Sequence, residues 1–265
     1  MPARYPFHSV LITGATGGIG GALARELAAP GVRLVLGGRD QKRLQAIADD
    51  CRRVGAEVEA AALDLTDAAA TAEWVRRADN RKSLDLVIAC AGISGETGYP
   101  GDNPDFSRRV FRVNVEGTIN TVEPLLPAMR ARRRGQIGIV ASVAGMRGIS
   151  RGPAYSGSKA ALIVLGQGWR EALALDGIGV SMLCPGYVRT PMADVQRFRK
   201  PFMLDSADAA RRMLNALARN RAVTTFPWPV AVAGWIMRSL PGACTRWLLP
   251  GPTITPIPAN EEPKS

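Results

Sequence analysis

The eight residues TGATGGIG, Thr13 to Gly20, join an apolar run, HSVLIT (8–13), to a segment whose apolar residues Ile19, Leu23 and Leu27 repeat at helical spacing. No other feature restricts the fold of this chain as strongly. Gly14 permits a tight turn, and Gly18 and Gly20 remove side chains where a diphosphate and a neighbouring strand must approach. A helix that starts here offers unpaired N–H groups to an anion. Glycines at this spacing mean little alone. Between a strand and a helix they point to a dinucleotide. No lysine follows Gly20 where a Walker-type phosphate loop requires one.

The rest of the chain repeats the alternation. Strands are expected at 32–38, 57–65, 84–92, 135–142 and 179–186, with helices at 40–55, 68–79, 105–131 and 154–176. The long 105–131 stretch should bend near Pro124 and Pro127. A helix at 206–219 and a weaker strand at 253–257 complete the pattern, and the tail ANEEPKS reads as loose. Strand runs of near-continuous apolar character, each followed by a helix, predict an α/β fold. Its form is a parallel sheet with helices on both faces, in a single domain, 1–265. The 46% apolar content of the 265 residues can fill such a core.

Composition removes several other chemistries. The only histidine is His8, so neither a histidine metal site nor a Ser-His-Asp triad can be assembled. Cys51, Cys90, Cys184 and Cys244 are scattered in apolar company and read as reduced thiols of a cytoplasmic protein. The N-terminus has no signal-peptide pattern. The net charge of +11 attracts polyanions non-specifically, but no nucleic-acid motif accompanies it. The densest basic cluster, Arg130 and Arg132 to Arg134, falls where a helix end favours positive charge. No specific nucleic-acid partner is expected. The uncharged segment 222–237 is too short to span a bilayer and is interrupted by Pro227 and Pro229. It reads as a buried cover or a subunit contact, with shallow membrane contact as the lesser alternative.

Three further positions carry chemistry. At the end of the second strand, Gly37, Gly38 and Arg39 stand where a carboxylate would bind the ribose of NAD. An arginine there suits the extra phosphate of NADP, with NAD the second choice and a solvated arginine the plain alternative. Asp40 is free to cap a helix. In YSGSK, Tyr155 and Lys159 lie four apart and share a helical face. An ammonium beside a phenol is expected to lower its pKa from about 10 toward useful acid–base range. Ser142 ends the fifth strand at the carboxyl edge, where it can steady a carbonyl oxygen or simply cap a turn.

From Val10 to Met192 the sequence resembles the classical short-chain dehydrogenase/reductase family, with a looser C-terminal third. TGATGGIG matches the family's cofactor loop, which implies dinucleotide contacts by Gly14, Thr16, Gly17, Gly18, Ile19 and Gly20. DLTD places Asp64 and Leu65 at the adenine. Asn114 in VNVEG matches the asparagine of the proton relay, and Ser142, Tyr155 and Lys159 match the other catalytic positions. Asn114, Tyr155 and Lys159 also border the cofactor. PGYVRT places Pro185, Gly186, Val188 and Thr190 along the nicotinamide. Where the family often has NNAG this chain has Ala89, Cys90, Ala91 and Gly92. Ala91 and Gly92 still let the adenosine pass, but two hydrogen-bonding side chains are gone. The resemblance also implies a Rossmann-type, doubly wound sheet of about seven strands, and a homodimer or homotetramer through the helices at 105–131 and 154–176.

The expected activity is therefore an NADP(H)-dependent interconversion of a carbonyl and a secondary alcohol. Substrate contacts are expected from Ser142, Met146, Ile149, Tyr155 and Tyr187, with a lid at 188–202 and a cover within about 187–250. Arg197, Arg199 and Lys200 read as solvated lid residues in preference to contacts for an anionic substrate. Trp228, Trp235 and Trp247 read as a pocket wall or subunit contact, which favours an apolar substrate. Two rivals remain: a non-redox epimerase or dehydratase, and a non-catalytic NADP-binding regulator.

Overall fold

The computed structural model describes residues 4–94, 104–149, 152–194 and 202–239. Seven strands form one parallel sheet in the order β3-β2-β1-β4-β5-β6-β7. They are β1 Ser9–Thr13, β2 Arg33–Gly38, β3 Glu57–Ala62, β4 Leu86–Ala89, β5 Gly135–Val140, β6 Ile178–Pro185 and β7 Val223–Phe226. The order reverses direction between β1 and β4, and ligands of such sheets bind at that crevice. The inner strands are buried on both faces, as their uninterrupted apolar runs demand. Edge strand β3 alternates instead, so Glu57 is exposed and Val58 buried.

Helices cover both faces. On one lie α1 (Gly18–Leu27), α2 (Gln41–Arg53) and α9 (Ser206–Ala218), with Leu23, Leu44 and Met213 packed on Ile12 and Leu34. On the other lie α3 (Ala68–Arg81), the bent helix of 104–131 and α7 (Pro153–Leu173), with Trp74, Met129 and Leu162 packed on Leu11, Val35 and Ile139. Alternate residues of β1 and β2 thus feed opposite cores, as the two-residue strand period requires.

The bent helix divides into α4 (Pro104–Phe111), a π turn (Arg112–Glu116), α5 (Gly117–Val122), a 3-10 turn (Glu123–Leu125) and α6 (Leu126–Ala131). The bend expected at Pro124 is the 3-10 turn. The π turn, which no proline causes, contains Asn114. Short helix α8 (Pro191–Asp194) follows β6, and α10 (Trp228–Ser239) follows β7.

The seventh strand is a correction. Val223–Phe226 forms it, inside the apolar segment read as a single block, and the rest of that block is α10. The β-branched VTT before Phe226 is the missed signal. The strand expected at 253–257 lies outside the described residues. Trp228 is also no pocket wall, being 75% exposed. The side chain of Trp235 and all of Trp247, Arg197, Arg199 and Lys200 are outside the described residues. The base of the expected lid is closed by Val188 pairing with Leu204 and by an Arg189 N–H donating to the Leu204 carbonyl at 2.8 Å.

Every member of the basic cluster has an internal partner. Arg130 pairs with Asp176 at 2.8 Å, Arg132 with buried Asp79 at 2.7 Å, and Arg134 with Asp85 at 3.7 Å. Arg133 donates to the Leu175 carbonyl at 2.7 Å.

Candidate active site

The glycine loop has the shape its sequence implies. Gly14 has φ +66°, and a Cβ there would lie 2.6 Å from the Ala91 Cα. A Cβ on Gly20 would lie 2.3 Å from the Gly14 carbonyl oxygen, and one on Gly18 would lie 2.5 Å from Thr190 Cγ2. The loop is therefore pressed against both the end of β4 and the segment after β6. Gly17 caps α1 without a side chain, and no carboxylate stands in the first turn. The positive end of this helix is left for an outside anion. Thr16 and Ile19 stand part-exposed beside it.

Thr13 was not singled out in the sequence, yet it ties two cofactor-side segments together. Its Oγ1 accepts from the Cys90 N–H at 3.1 Å and from the Ala91 N–H at 3.3 Å. The backbone before Gly92 is held from β1, without the two missing asparagines. The signal was available as a hydroxyl at the last position of a buried apolar strand. Cys90 itself is only partly exposed, and burial pushes its thiol up to about 12.

The ends of β2 and β3 form the far side of the crevice. Glycines are required at 37 and 38 by close packing, since a Cβ would meet Trp74 Cη2 and Thr16 Cγ2, each at 2.6 Å. Arg39 is exposed. Asp40 caps α2, accepting from the Arg43 N–H at 2.9 Å, and so is engaged away from any ribose. Asp64 accepts from the Thr66 N–H and hydroxyl, both at 2.9 Å. The Thr66 N–H chiefly holds its carboxyl below the ordinary range, with the charges of Arg39 and Arg109 contributing less. Leu65 is buried, and its carbonyl accepts from Asn120 at 2.8 Å.

Ser142, Tyr155, Lys159 and Asn114 meet at the carboxyl edge of β4 and β5. Ser142 begins a 3-10 turn (Val143–Gly145), and its Oγ accepts from the Ala144 N–H at 3.1 Å. The turn sits on α7 because position 145 is glycine: a Cβ there would lie 2.6 Å from the Lys159 carbonyl carbon. Lys159 is buried, donates to the Val140 carbonyl at 2.8 Å and lies 5.7 Å from the Tyr155 ring centroid. Burial pushes its ammonium down to about 8. Burial also raises the Tyr155 phenol, and a hydrogen bond with Ser142 opposes the rise. This corrects the expectation that Lys159 makes the phenol acidic. The ammonium is committed to Val140, and the desolvation of the phenol outweighs its neighbours.

Asn114 is fully buried. Its Oδ1 accepts from the Ile93 N–H at 2.7 Å, and its Nδ2 donates to the Ile93 carbonyl at 3.1 Å and to Ser158 Oγ at 2.9 Å. Ser158 in turn donates to the Tyr155 carbonyl at 2.8 Å. Because that hydroxyl spends its proton on Tyr155, it can only accept from Asn114, which fixes how the carboxamide faces. A chain of bonds thus links Ile93, Asn114, Ser158 and Tyr155. Ser158 is the second residue the sequence reading left without a role.

Beyond β6, buried Pro185 leads to Gly186, whose N–H donates to the Phe226 carbonyl at 2.7 Å. Val188 is buried, and the Tyr187 carbonyl accepts from the Leu204 N–H at 2.9 Å. Thr190 Oγ1 accepts from the Ala193 N–H at 3.2 Å while its methyl group faces Gly18. Met146 is half-buried and Ile149 is 44% exposed. Among the described residues no group of three His, Cys, Asp or Glu gathers as a metal site would require.

A parallel sheet with a glycine crevice and a Ser–Tyr–Lys cluster at one edge defines a nicotinamide-type oxidoreductase fold. The model of the short chain dehydrogenase family matches residues 8–200, and the chain belongs to that family. It is an oxidoreductase of that family. An uncharacterized oxidoreductase of Myxococcus xanthus is 36% identical over 240 residues, covering 90% of this chain and 95% of the relative. Oxidoreductase UcpA of Escherichia coli is 33% identical over 70% of this chain and 71% of its own length. Among solved structures, a short-chain dehydrogenase from Sphingobium yanoikuyae in complex with NADPH has a TM-score of 0.77 at 27% identity. It covers 89% of this chain and 97% of its own.

Proposed function

We propose that this protein is an NADP(H)-dependent reductase that interconverts a carbonyl and a secondary alcohol. One observation carries the reading: the hydrogen-bonded Ser142 and Tyr155 stand with Lys159 at the carboxyl edge of the sheet, next to a glycine crevice that fits a dinucleotide. The uncapped start of α1 suits a diphosphate, and Gly14, Thr16, Gly17, Gly18, Ile19 and Gly20 would hold it. Asp64, Leu65, Ala91 and Gly92 would flank the adenosine. Asn114, Pro185, Gly186, Val188 and Thr190 would border the nicotinamide half. Exposed Arg39, beside an Asp40 already used as a helix cap, favours NADP over NAD. A bound nicotinamide supplies or accepts the hydride.

The chain's own groups handle the proton and the oxygen. Tyr155 donates its phenolic proton to the developing alkoxide, and its raised pKa keeps that proton in place until it is needed. Ser142 donates a second hydrogen bond to the same oxygen, a contribution of about 3 kcal/mol for a well-aimed donor. Lys159, charged below about pH 8, faces the phenolate that remains. Asn114 keeps the Tyr155 turn of α7 in register with Ile93. Met146, Ile149 and Tyr187 offer an apolar lining that suits a lipid-like ketone, a steroid or a long-chain alcohol.

The whole chain would act as one nicotinamide-binding domain, its substrate cover lying within 187–250. It would work in the cytoplasm as a homodimer or homotetramer.

The test is a panel of ketones, aldehydes and secondary alcohols followed by nicotinamide absorbance with both cofactors. Carbonyl-dependent oxidation of NADPH, faster than that of NADH, is the expected result. A rearranged product without an absorbance change would make the chain an epimerase or dehydratase. Cofactor binding without turnover across the panel would make it a regulator.

A further inference from the structure

Building on the reductase reading, we propose that Gly234 and Met146 together decide how bulky a carbonyl substrate can reach Ser142 and Tyr155. Val230 and Gly234 of α10 lie four apart and face the same way. A Cβ on Gly186 would lie 3.4 Å from Val230 Cγ1, so this face of α10 meets the segment after β6. A Cβ on Gly234 would lie 2.9 Å from Met146 Sδ, so the next turn of the helix meets the segment after β5. One helical turn, about 6 Å, therefore bridges the Gly186 side of the site and the Ser142 side.

The backbone that carries Met146 is held in place. Met146 ends the 3-10 turn that Ser142 begins. Gly145 beside it is pressed on α7, where a Cβ would lie 2.6 Å from the Lys159 carbonyl carbon. Further on, the Ile149 N–H donates to the Oγ of buried Ser156 at 3.3 Å. The segment is thus tied to α7 before and after Met146. The Met146 side chain also packs on the core beneath the turn, and a close-packed core has no space to take in more of it. With α10 on one side and the core on the other, a displaced thioether moves toward the mouth of the site. Glycine weakens a helix interior, and at 234 it lets α10 come down on the sulfur. A side chain at 234 drives the flexible thioether into the space that a substrate's non-reacting arm needs. A shorter residue at 146 enlarges that space.

The test compares kcat/KM for methyl ketones of lengthening alkyl chain, from acetone upward, in the natural chain, Gly234→Ala, Met146→Ala and the double variant. Gly234→Ala should lower the value for long ketones about tenfold more than for acetone. Met146→Ala should shift the same ratio about tenfold toward the long ketones. In the Met146→Ala background the change at 234 should have little effect, because it acts through the thioether. If Gly234→Ala does not fold, Met146→Phe replaces it with the same expected direction. Calorimetric affinities of the same ketones for the chain loaded with NADP+, which has no hydride to give, should follow the same order. Three results would overturn the proposal: effects that fall equally on every ketone, a Gly234→Ala effect as large without the thioether as with it, or no binding of any ketone. Size-graded binding without turnover would sink the reductase reading and leave this one standing. Turnover whose ratios the substitutions leave unmoved would do the reverse.

Discussion

Replacing Thr13 by Val keeps the shape of the side chain and removes its oxygen. The Cys90 and Ala91 N–H groups, now 3.1 and 3.3 Å from that oxygen, would lose their partner. A buried donor left unpaired costs about 1–3 kcal/mol. Both bonds are long for their type and part-buried, so the lower end applies, and the two together cost about 2 kcal/mol. For a chain of this size that lowers the melting temperature by about 4 °C. The same change loosens the backbone leading to Gly92, so the affinity for NADPH should fall severalfold. Thermal melts and calorimetric titrations of Thr13→Val and Thr13→Ser separate the causes. Serine keeps the oxygen and should stay near the natural protein in both assays. A valine variant with unchanged melting and unchanged affinity would refute the reasoning, as would a serine variant damaged equally.

Ser158→Ala should lower kcat about tenfold, leave KM for NADPH near its natural value and shift the alkaline limb of the kcat profile, because it unpins Asn114 from the Tyr155 turn. Ser158→Thr, which keeps the hydroxyl, should restore most of the rate. Lys159 makes stability depend on pH. Its folded value of about 8 lies below the 10.5 of a free lysine, so from pH 8 upward the unfolded chain holds a proton that the native chain has released. That difference alone would raise stability by about 1 kcal/mol between pH 8 and 9. Cys51, Cys90 and Cys184, raised to about 11, 12 and 12, keep protons that the unfolded chain begins to lose over the same range, and together they cancel a gain of that size. Stability should therefore stay nearly level from pH 8 to 9 and fall above it. Urea midpoints across that range check this, and in Lys159→Met the fall should already begin near pH 8. Arg39→Ala should weaken NADPH binding by roughly tenfold and leave NADH binding unchanged, as measured by titration with each cofactor.

The parallel sheet was legible because uninterrupted apolar runs and glycine punctuation are local. Strands β1 to β6 fall where apolar runs end in turn residues. The cofactor loop was legible for the same reason, since Gly14 turns the chain at positive φ and Gly20 packs on the Gly14 carbonyl within the same eight residues. Thr13 and Ser158 were not legible as site residues. Their partners, Ala91 and Asn114, come from distant parts of the chain, and only the folded sheet edge brings them together. Arg33 shows the same limit. It is buried in β2 because Glu59, Ser9 and the carbonyls of Ala78 and Lys82 satisfy it from three other segments. The lysine's effect on Tyr155 was misjudged because sequence spacing gives proximity but not desolvation. The segment 222–237 was misread because its hydropathy hides a strand and a helix with one face turned outward.

The most direct measurement is the turnover of Tyr155→Phe, followed by NADPH absorbance on a carbonyl the natural chain reduces, with NADPH affinity measured in parallel. Losing the phenolic proton should reduce kcat by roughly a hundredfold or more and change the affinity little. Natural turnover in that variant would contradict the account.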